Sequence, residues 1–218
     1  MRTSKWLLAL LLGGGLCVTS VQAAVVSTSA DIKKISAPSS VVQGALQSDS
    51  YIYLFEEQQG VVLGSDLSVD WLPSDGDSLD TGKGGTIAAG TRVNSYFLHF
   101  DPLSDDAKAY GEVDFSDEIL AVIFTTTNLN DSDSVLGNSG TTYGNSPDRG
   151  YEPNDEEYSN LPLPKSWWAT NYSNAGFIDQ ARVITAAPVP VPAALWLFGS
   201  ALLAMVGIGR RGGMTPAS

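Results

Sequence analysis

Two acidic, glycine-containing stretches carry the residue types that bind a hard cation. SDGDSLDTGKGG holds Asp75, Asp77 and Asp80, and NLNDSDSVLGN holds Asp131 and Asp133 beside two asparagines. Ca²⁺ takes about six to eight oxygen ligands from carboxylates, amides and carbonyls, and glycines let a loop turn its carbonyls inward. The sequence therefore predicts a weak Ca²⁺ site at each loop, although neither has the ordered ligands of an EF-hand. The alternative is that these residues simply form turns between strands.

Trp71 and Trp168 are candidate contacts for a sugar ring. Both lie in the middle of the chain, where tyrosines accompany them, and together such rings could form a flat aromatic platform. Neighbouring residues in a strand point to opposite faces, so at most one of Trp167 and Trp168 is free for a ligand. Packing in a core or an interface is the alternative, because tryptophan and tyrosine serve there equally well.

Catalytic chemistry has little support in the sequence. Carboxylates stand in adjacent pairs such as Glu56-Glu57, but glycoside hydrolysis needs two carboxyl groups at a defined separation across a cleft. With 24 acidic residues, some pair always looks suitable. His99 is the only histidine, and strand alternation in YFLHFDP places it on the same face as Phe97. We therefore expect no catalytic residue and no enzyme activity, with His99 packed and hydrogen-bonded.

The residues that must position these groups lie in a body of residues 24–187, which is long enough for one domain with its own core. Short runs of valine, isoleucine, tyrosine, phenylalanine and threonine alternate with turn residues. We predict strands at 51–55, 61–63 (its hairpin partner), 93–100, 118–126 and 176–185, and a long surface loop over 147–168. This spacing favours an all-β fold, an antiparallel β-sandwich with jelly-roll-like connectivity.

The charge of the chain excludes one class of partner. All 24 acidic residues lie between Asp31 and Asp179, and 8 of the 12 basic residues lie in the body, which gives the body a net charge of −16. Nucleic acids and anionic lipids are bound by clustered lysine and arginine. We therefore expect no nucleic-acid partner.

The N-terminus, residues 1–23, has the pattern of a cleaved signal peptide. Two basic residues precede a short apolar run, and Val21 and Ala23 stand at the −3 and −1 positions that a signal peptidase accepts. The apolar run is too short to span a bilayer and continues into three glycines. Cys17, the only cysteine, is removed with the leader. The sequence therefore predicts export and a mature body without disulfides.

The C-terminus combines a proline box, an apolar helix and two arginines. The residues of this segment are Pro188, Val189, Pro190, Val191, Pro192, Arg210 and Arg211. The run 193–209 is uncharged and would reach roughly 25 Å as a helix, which is short for a transmembrane span. The arginines mark the cytoplasmic side, and residues 212–218 form a short tail. A permanent membrane anchor is one interpretation of this segment.

The other interpretation comes from resemblance. The segment 188–211 resembles the sorting signal of PEP-CTERM proteins, in the variant that carries Val-Pro-x-Pro-Ala. The resemblance implies recognition by exosortase, an integral-membrane protease, with the chain held in the membrane by its C-terminal transmembrane helix before processing. It also implies release to the cell surface or extracellular matrix of a Gram-negative bacterium that makes exopolysaccharide. The expected role is structural or adhesive. We expect either no cofactor or Ca²⁺. The alternative function is a surface module that binds carbohydrate or, less readily, cleaves it.

The body carries a second resemblance. GTRVNSYFLHFDP, EILAVIFTTTNLNDSDSVLGNSGTTY and FIDQARVITAAPVP are similar to segments of an ectodomain that recurs in PEP-CTERM proteins. The similarity covers about residues 90–187. It implies a fold, and no biochemical activity is attached to it.

Overall fold

The chain is described from a computed structural model, which covers residues 24–76, 83–151, 166–173 and 175–188, with the backbone alone for 166–173. The described residues form eleven strands, one α-helix and one short 3₁₀ helix at Pro73–Asp75. The strands are β1 (Val25–Thr28), β2 (Ile32–Lys34), β3 (Ile52–Glu56), β4 (Val61–Val62), β5 (Leu67–Val69), β6 (Gly85–Ile87), β7 (Arg92–Phe100), β8 (Ala107–Phe115), β9 (Ile119–Ile123), β10 (Ser166–Ser173) and β11 (Asp179–Ala186). The helix α1 is Thr126–Leu136.

The strands form three sheets, none of which closes on itself. The largest has the order β2-β3-β7-β11-β9, with β4 also paired to β7; the second has the order β1-β8-β10, and β5 and β6 form a small pair. The described chain is therefore mostly β with one helix. All its strand pairs are antiparallel except β2–β3, which is parallel. The long connection 35–51 between these two strands allows this, because a parallel pair requires a crossover.

The largest sheet is buried on both faces, and strand β7 shows why. Its eight residues from Val93 to Phe100 are all buried. Tyr96, Leu98 and Phe100 join a core cluster that also contains the inward residues of β8. Phe97 faces the other way and joins a second cluster, which includes residues of α1. One face of the sheet therefore packs against the three-stranded sheet, and the other is covered by the helix, the β5–β6 pair and loops.

Glycine is needed where two segments meet most closely. A Cβ on Gly150 would lie 2.1 Å from the carbonyl oxygen of Phe124, well inside the contact distance of two atoms. The absence of a side chain lets residues 149–151 run against the start of α1, where the Tyr151 N–H donates to that same Phe124 oxygen at 2.8 Å.

Several sequence predictions need correction. Strand β4 pairs with β7 and not with β3, so the predicted hairpin of 51–55 and 61–63 is wrong. The segment predicted as strand to residue 126 ends at Ile123, and the helix α1 follows it. Arg149 and Tyr151 are buried, so the start of the predicted surface loop 147–168 belongs to the core. The predicted strands at 93–100 and 176–185 correspond to β7 and β11.

Candidate functional site

The helix α1 replaces the predicted calcium loop at NLNDSDSVLGN. Asp131 and Asp133 are both helical, and residues two apart on a helix do not face each other. Asp131 is exposed. Asp133 accepts from Arg149 at 2.6 Å and from Arg182 at 2.9 Å. Two arginines already neutralise Asp133, so the structure does not bring Asp131 and Asp133 together as ligands of one Ca²⁺ ion.

The first acidic loop is described only in part. Asp75 closes a tight turn, where its Oδ2 accepts from the backbone N–H of Leu72 at 3.0 Å. Asp77 and Asp80 lie outside the described residues. Within the described ranges, no group of three or more histidine, cysteine, aspartate or glutamate side chains is arranged to hold a metal ion.

Asp70 fixes the start of α1 from a distant part of the chain. Its carboxylate accepts from the backbone N–H groups of Phe124 and Thr125, both at 2.8 Å, and from the Thr125 hydroxyl at 2.9 Å. The side chain of Asn128 donates to it as well. Thr125 makes no side-chain cap of its own. A buried carboxylate therefore holds the residues that lead into the helix, whereas an N-cap side chain would accept from the first free N–H groups of the helix itself.

Beneath α1 lies a buried ion pair between Glu57 and Arg182. Both side chains have no exposed surface, and their contacts are 2.6 Å and 2.8 Å, with the guanidinium donating to both carboxylate oxygens. Hydroxyl groups of Ser95 and Tyr143 also donate to Glu57, at 2.5 Å and 2.7 Å. Arg182 donates in addition to Ser132 and Asp133. The charged groups of Glu57, Arg182 and Asp133 therefore each contact a group of opposite charge.

The pKa values in the cluster follow from these contacts. Burial alone would lower the pKa of Arg182, but the carboxylates of Glu57 and Asp133 outweigh it and the pKa lies above its ordinary value. Burial, reinforced by Glu57, raises the pKa of Tyr143. The arginine is thus held charged and the phenol held neutral.

A second arginine extends the cluster towards His99. Arg149 is fully buried, and its Nε donates to the Gln180 side-chain oxygen at 2.7 Å. The Gln180 amide in turn donates to His99 Nδ1 at 2.9 Å, which leaves the other ring nitrogen to donate to the Leu46 carbonyl at 3.1 Å. This arrangement requires a neutral imidazole, and burial accordingly lowers the pKa of His99 to about 4.

We call Glu57, Asp133, Arg149, Gln180 and Arg182, with His99 at its end, the buried ionic cluster. Two carboxylates balance two arginines, so the cluster is neutral overall. The guanidinium carbons of Arg149 and Arg182 lie 5.9 Å and 5.2 Å from the ring centre of Phe97. The arrangement ties the helix, strand β11 and the 149–151 segment together. These buried ion pairs and hydrogen bonds act as an internal brace, that is, they hold the three segments in one specific arrangement.

Sequence reasoning placed His99 correctly beside Phe97 but missed the arginines and Glu57. Glu57 lies in the connection between the predicted strands 51–55 and 61–63, and Arg149 lies in the predicted surface loop 147–168. The available signal was FIDQARVITA: Gln180 and Arg182 are two residues apart in a mostly apolar segment, which places both on one face of a strand. Glu56, by contrast, pairs with Lys34 at the surface at 2.7 Å.

The two predicted sugar-contact residues separate in the structure. Trp71 is only 5% exposed and packs in the core, and its Nε1 donates to the Gly76 carbonyl at 3.0 Å; a sugar contact at Trp71 is therefore wrong. Trp167 pairs in register with Val113, which is buried, and Trp168 pairs with Glu112 on the opposite face of β8. The register thus favours Trp168 as the one of the pair on the outer face.

The terminal predictions fall outside the described part of the chain. Val21 and Ala23 precede residue 24, and Val189, Pro190, Val191, Pro192, Arg210 and Arg211 follow Pro188, the last described residue. Within the described ranges, α1 with its 11 residues is too short and too polar to cross a bilayer.

Comparisons with known proteins return no match: no family model, no curated protein and no solved structure is similar to this chain.

Proposed function

We propose that this chain is an exported cell-surface or extracellular-matrix protein with a structural or adhesive role. A signal peptidase removes residues 1–23, and an exosortase-type membrane protease recognises the sorting signal 188–211. The observation that carries the proposal is the order of segments along one chain: basic-apolar leader, acidic body, proline box, short apolar helix, arginine pair. Each segment is common alone, and the order is the specific feature.

The end of the described body supports this division. Strand β11 ends at Ala186, and the N–H of Ala187 still donates to the Arg92 carbonyl at 3.1 Å. Pro188 follows at once, and prolines in alternate positions cannot continue a strand ladder. The last described strand therefore ends just before the proposed sorting signal, so a protease acting beyond Pro188 removes none of the described residues.

The interior of the body supports a role other than catalysis. The buried ionic cluster offers charged groups, but they are neutralised by one another and lie beneath α1. Reactive side chains in enzymes are instead directed at a space that a substrate enters. The cluster is better suited to holding one rigid arrangement of strands.

The finer architecture is part of the same proposal. We regard the body as a sandwich of jelly-roll-like type, supported by the core that β8 shares with the largest sheet. The parallel β2–β3 pair is a departure from that type.

Calcium is proposed at one loop only. Asp131 and Asp133 lie apart on a helix, so Asp75, Asp77 and Asp80 are the better candidate ligands. Millimolar CaCl₂ should raise the melting temperature of the wild-type chain and leave that of an Asp77→Ala/Asp80→Ala variant unchanged. An equal response of both chains, or none in either, would remove calcium from the proposal.

The proposal is tested by the intact mass and C-terminal sequence of the protein recovered from the cell surface of its host. We expect a chain that begins at Ala24 and lacks Arg210 and Arg211. Replacing Pro188, Pro190 and Pro192 with alanine should leave the helix uncleaved and the protein in the membrane. Pro73→Ala, at an exposed position in the body, is the matched control and should be processed normally. A surface protein that keeps its leader would refute export processing, and one that keeps its arginines would refute the sorting step.

A further inference from the structure

The outer face of the three-stranded sheet carries exposed polar and aromatic residues. In β8 the inward residues are buried, while Lys108 and Tyr110 are exposed and Glu112 is half-buried. Tyr110 is 57% exposed, at the centre of the middle strand of the sheet. An aromatic ring on the central strand of an outward face is not needed for the core, which lies on the opposite side.

The strand register brings two more aromatic residues to the same face. Trp168 pairs with Glu112, Thr170 with Tyr110, and Tyr172 with Lys108. Directly paired residues share a face, and diagonal neighbours are about 7–8 Å apart. Trp168 and Tyr172 are four residues apart in β10, or about 13 Å at the rise of an extended strand. Tyr110 stands beside the midpoint between them.

We propose that this outer face, defined by Lys108, Tyr110, Glu112, Trp168, Thr170 and Tyr172, binds a linear neutral polysaccharide. The inference rests on the proposed function, since it supplies the ligand of an exported adhesive body. Aromatic positions spaced over about 13 Å match a few consecutive sugar rings of an extended chain. The carboxylate, ammonium and hydroxyl groups between them are hydrogen-bonding partners for sugar hydroxyls.

Charge favours a neutral polysaccharide over two other ligands, an anionic polymer and a second copy of this chain. A body with a net charge of −16 repels an anionic polymer. A second copy docked through the same face would bring the Glu112 and Asp114 carboxylates of both chains, all in β8, into one interface. The cores of protein interfaces are depleted of charged residues, and this face alternates charge with aromatic residues. A neutral polymer meets neither penalty.

The experiment is affinity electrophoresis of the full chain in native gels that contain barley β-glucan, xylan or galactomannan. A polyoxyethylene detergent keeps the chain in solution, because it has no sugar head group to compete. We expect retardation in at least one gel. Tyr110→Ala and Trp168→Ala should each weaken binding about two- to tenfold, whereas Tyr110→Phe should keep it.

Phe177→Ala is the matched control, because Phe177 is an aromatic residue of similar exposure, 52%, that lies outside the three-stranded sheet. It should bind as the wild type does. Absence of retardation in all three gels, or equal retardation of all variants, overturns the proposal. Retardation that grows with protein concentration in a gel without sugar assigns the face to self-association instead. None of these results depends on cleavage, so failure of the sorting proposal is read separately from the mass of the recovered protein.

Discussion

Replacing Arg182 with methionine tests whether the buried ionic cluster braces the fold. Methionine keeps an unbranched apolar stem against Phe97 but removes the charge. The carboxylate of Glu57, whose side chain has no exposed surface, then keeps only the hydroxyl donors of Ser95 and Tyr143. Removing one partner of a buried pair costs about 3–5 kcal/mol. We expect a loss of that size in the free energy of unfolding.

The assay is urea unfolding of the full chain, followed by the fluorescence of its tryptophans, which include the buried Trp71. The control is Lys34→Met, which breaks an ion pair of similar length, 2.7 Å, with side chains 42% and 37% exposed. Exposed pairs contribute about 0–1 kcal/mol. The two variants therefore differ mainly in burial.

A double variant tests the sign of the stability change as well as its size. Adding Glu57→Gln to Arg182→Met removes the uncompensated buried charge, so the double variant should be more stable than Arg182→Met alone, by about 1–3 kcal/mol. If Arg182→Met costs no more than Lys34→Met, or if the second substitution destabilises further, the pair is not the internal brace inferred above.

Three further perturbations follow from the same geometry. Asp70→Ala removes four hydrogen bonds at the start of α1 and should cost about 2 kcal/mol in urea unfolding, whereas Asp131→Ala on the exposed side of α1 should stay within about 0.5 kcal/mol. Gly150→Ala should destabilise by more than about 1 kcal/mol, because the Cβ meets the Phe124 carbonyl; a normal melting temperature would contradict that contact. Because burial lowers the pKa of His99 to about 4 from 6.5, the unfolded chain binds a proton before the folded chain does, so wild-type stability should fall as the pH drops from about 6.5 to 4. His99→Gln should remove that part of the pH dependence, and parallel stability–pH curves for the two chains would count against it.

The strands were predictable from sequence where the apolar pattern was unambiguous. Residues 93–100 and 176–185 combine β-branched and aromatic residues in runs bounded by turn formers, and β7 and β11 occupy them. The helix α1 was not predictable in the same way. TTNLNDSDSVL is polar, with few strong helix formers, and six of its residues are asparagine, aspartate or serine, which favour caps and turns. The remote carboxylate of Asp70 holds the residues that lead into the helix, and Leu129 and Leu136 pack in the second core cluster. No local pattern reveals the Asp70 contact.

The partners of the charged residues were also out of reach. Glu57 reads as one of four polar residues before Gly60, and Arg149 reads as part of PDRG, a turn sequence. Only the tertiary fold brings them to Arg182 and Asp133, over separations of 125 and 16 residues. The lone His99 was different, because strand alternation alone fixes its face.

The position of β11 in the largest sheet has a consequence for how the chain becomes folded. It lies between β7 and β9 and carries Gln180 and Arg182, yet it is the last strand before the proline box. In a chain that emerges N-terminus first, β7 and β9 therefore lack the strand between them until nearly the whole body has emerged. The non-local strand pairs of this sheet consequently form late. If the chain is exported as proposed, it can pass through a membrane pore before this sheet is complete and become rigid only after it has crossed.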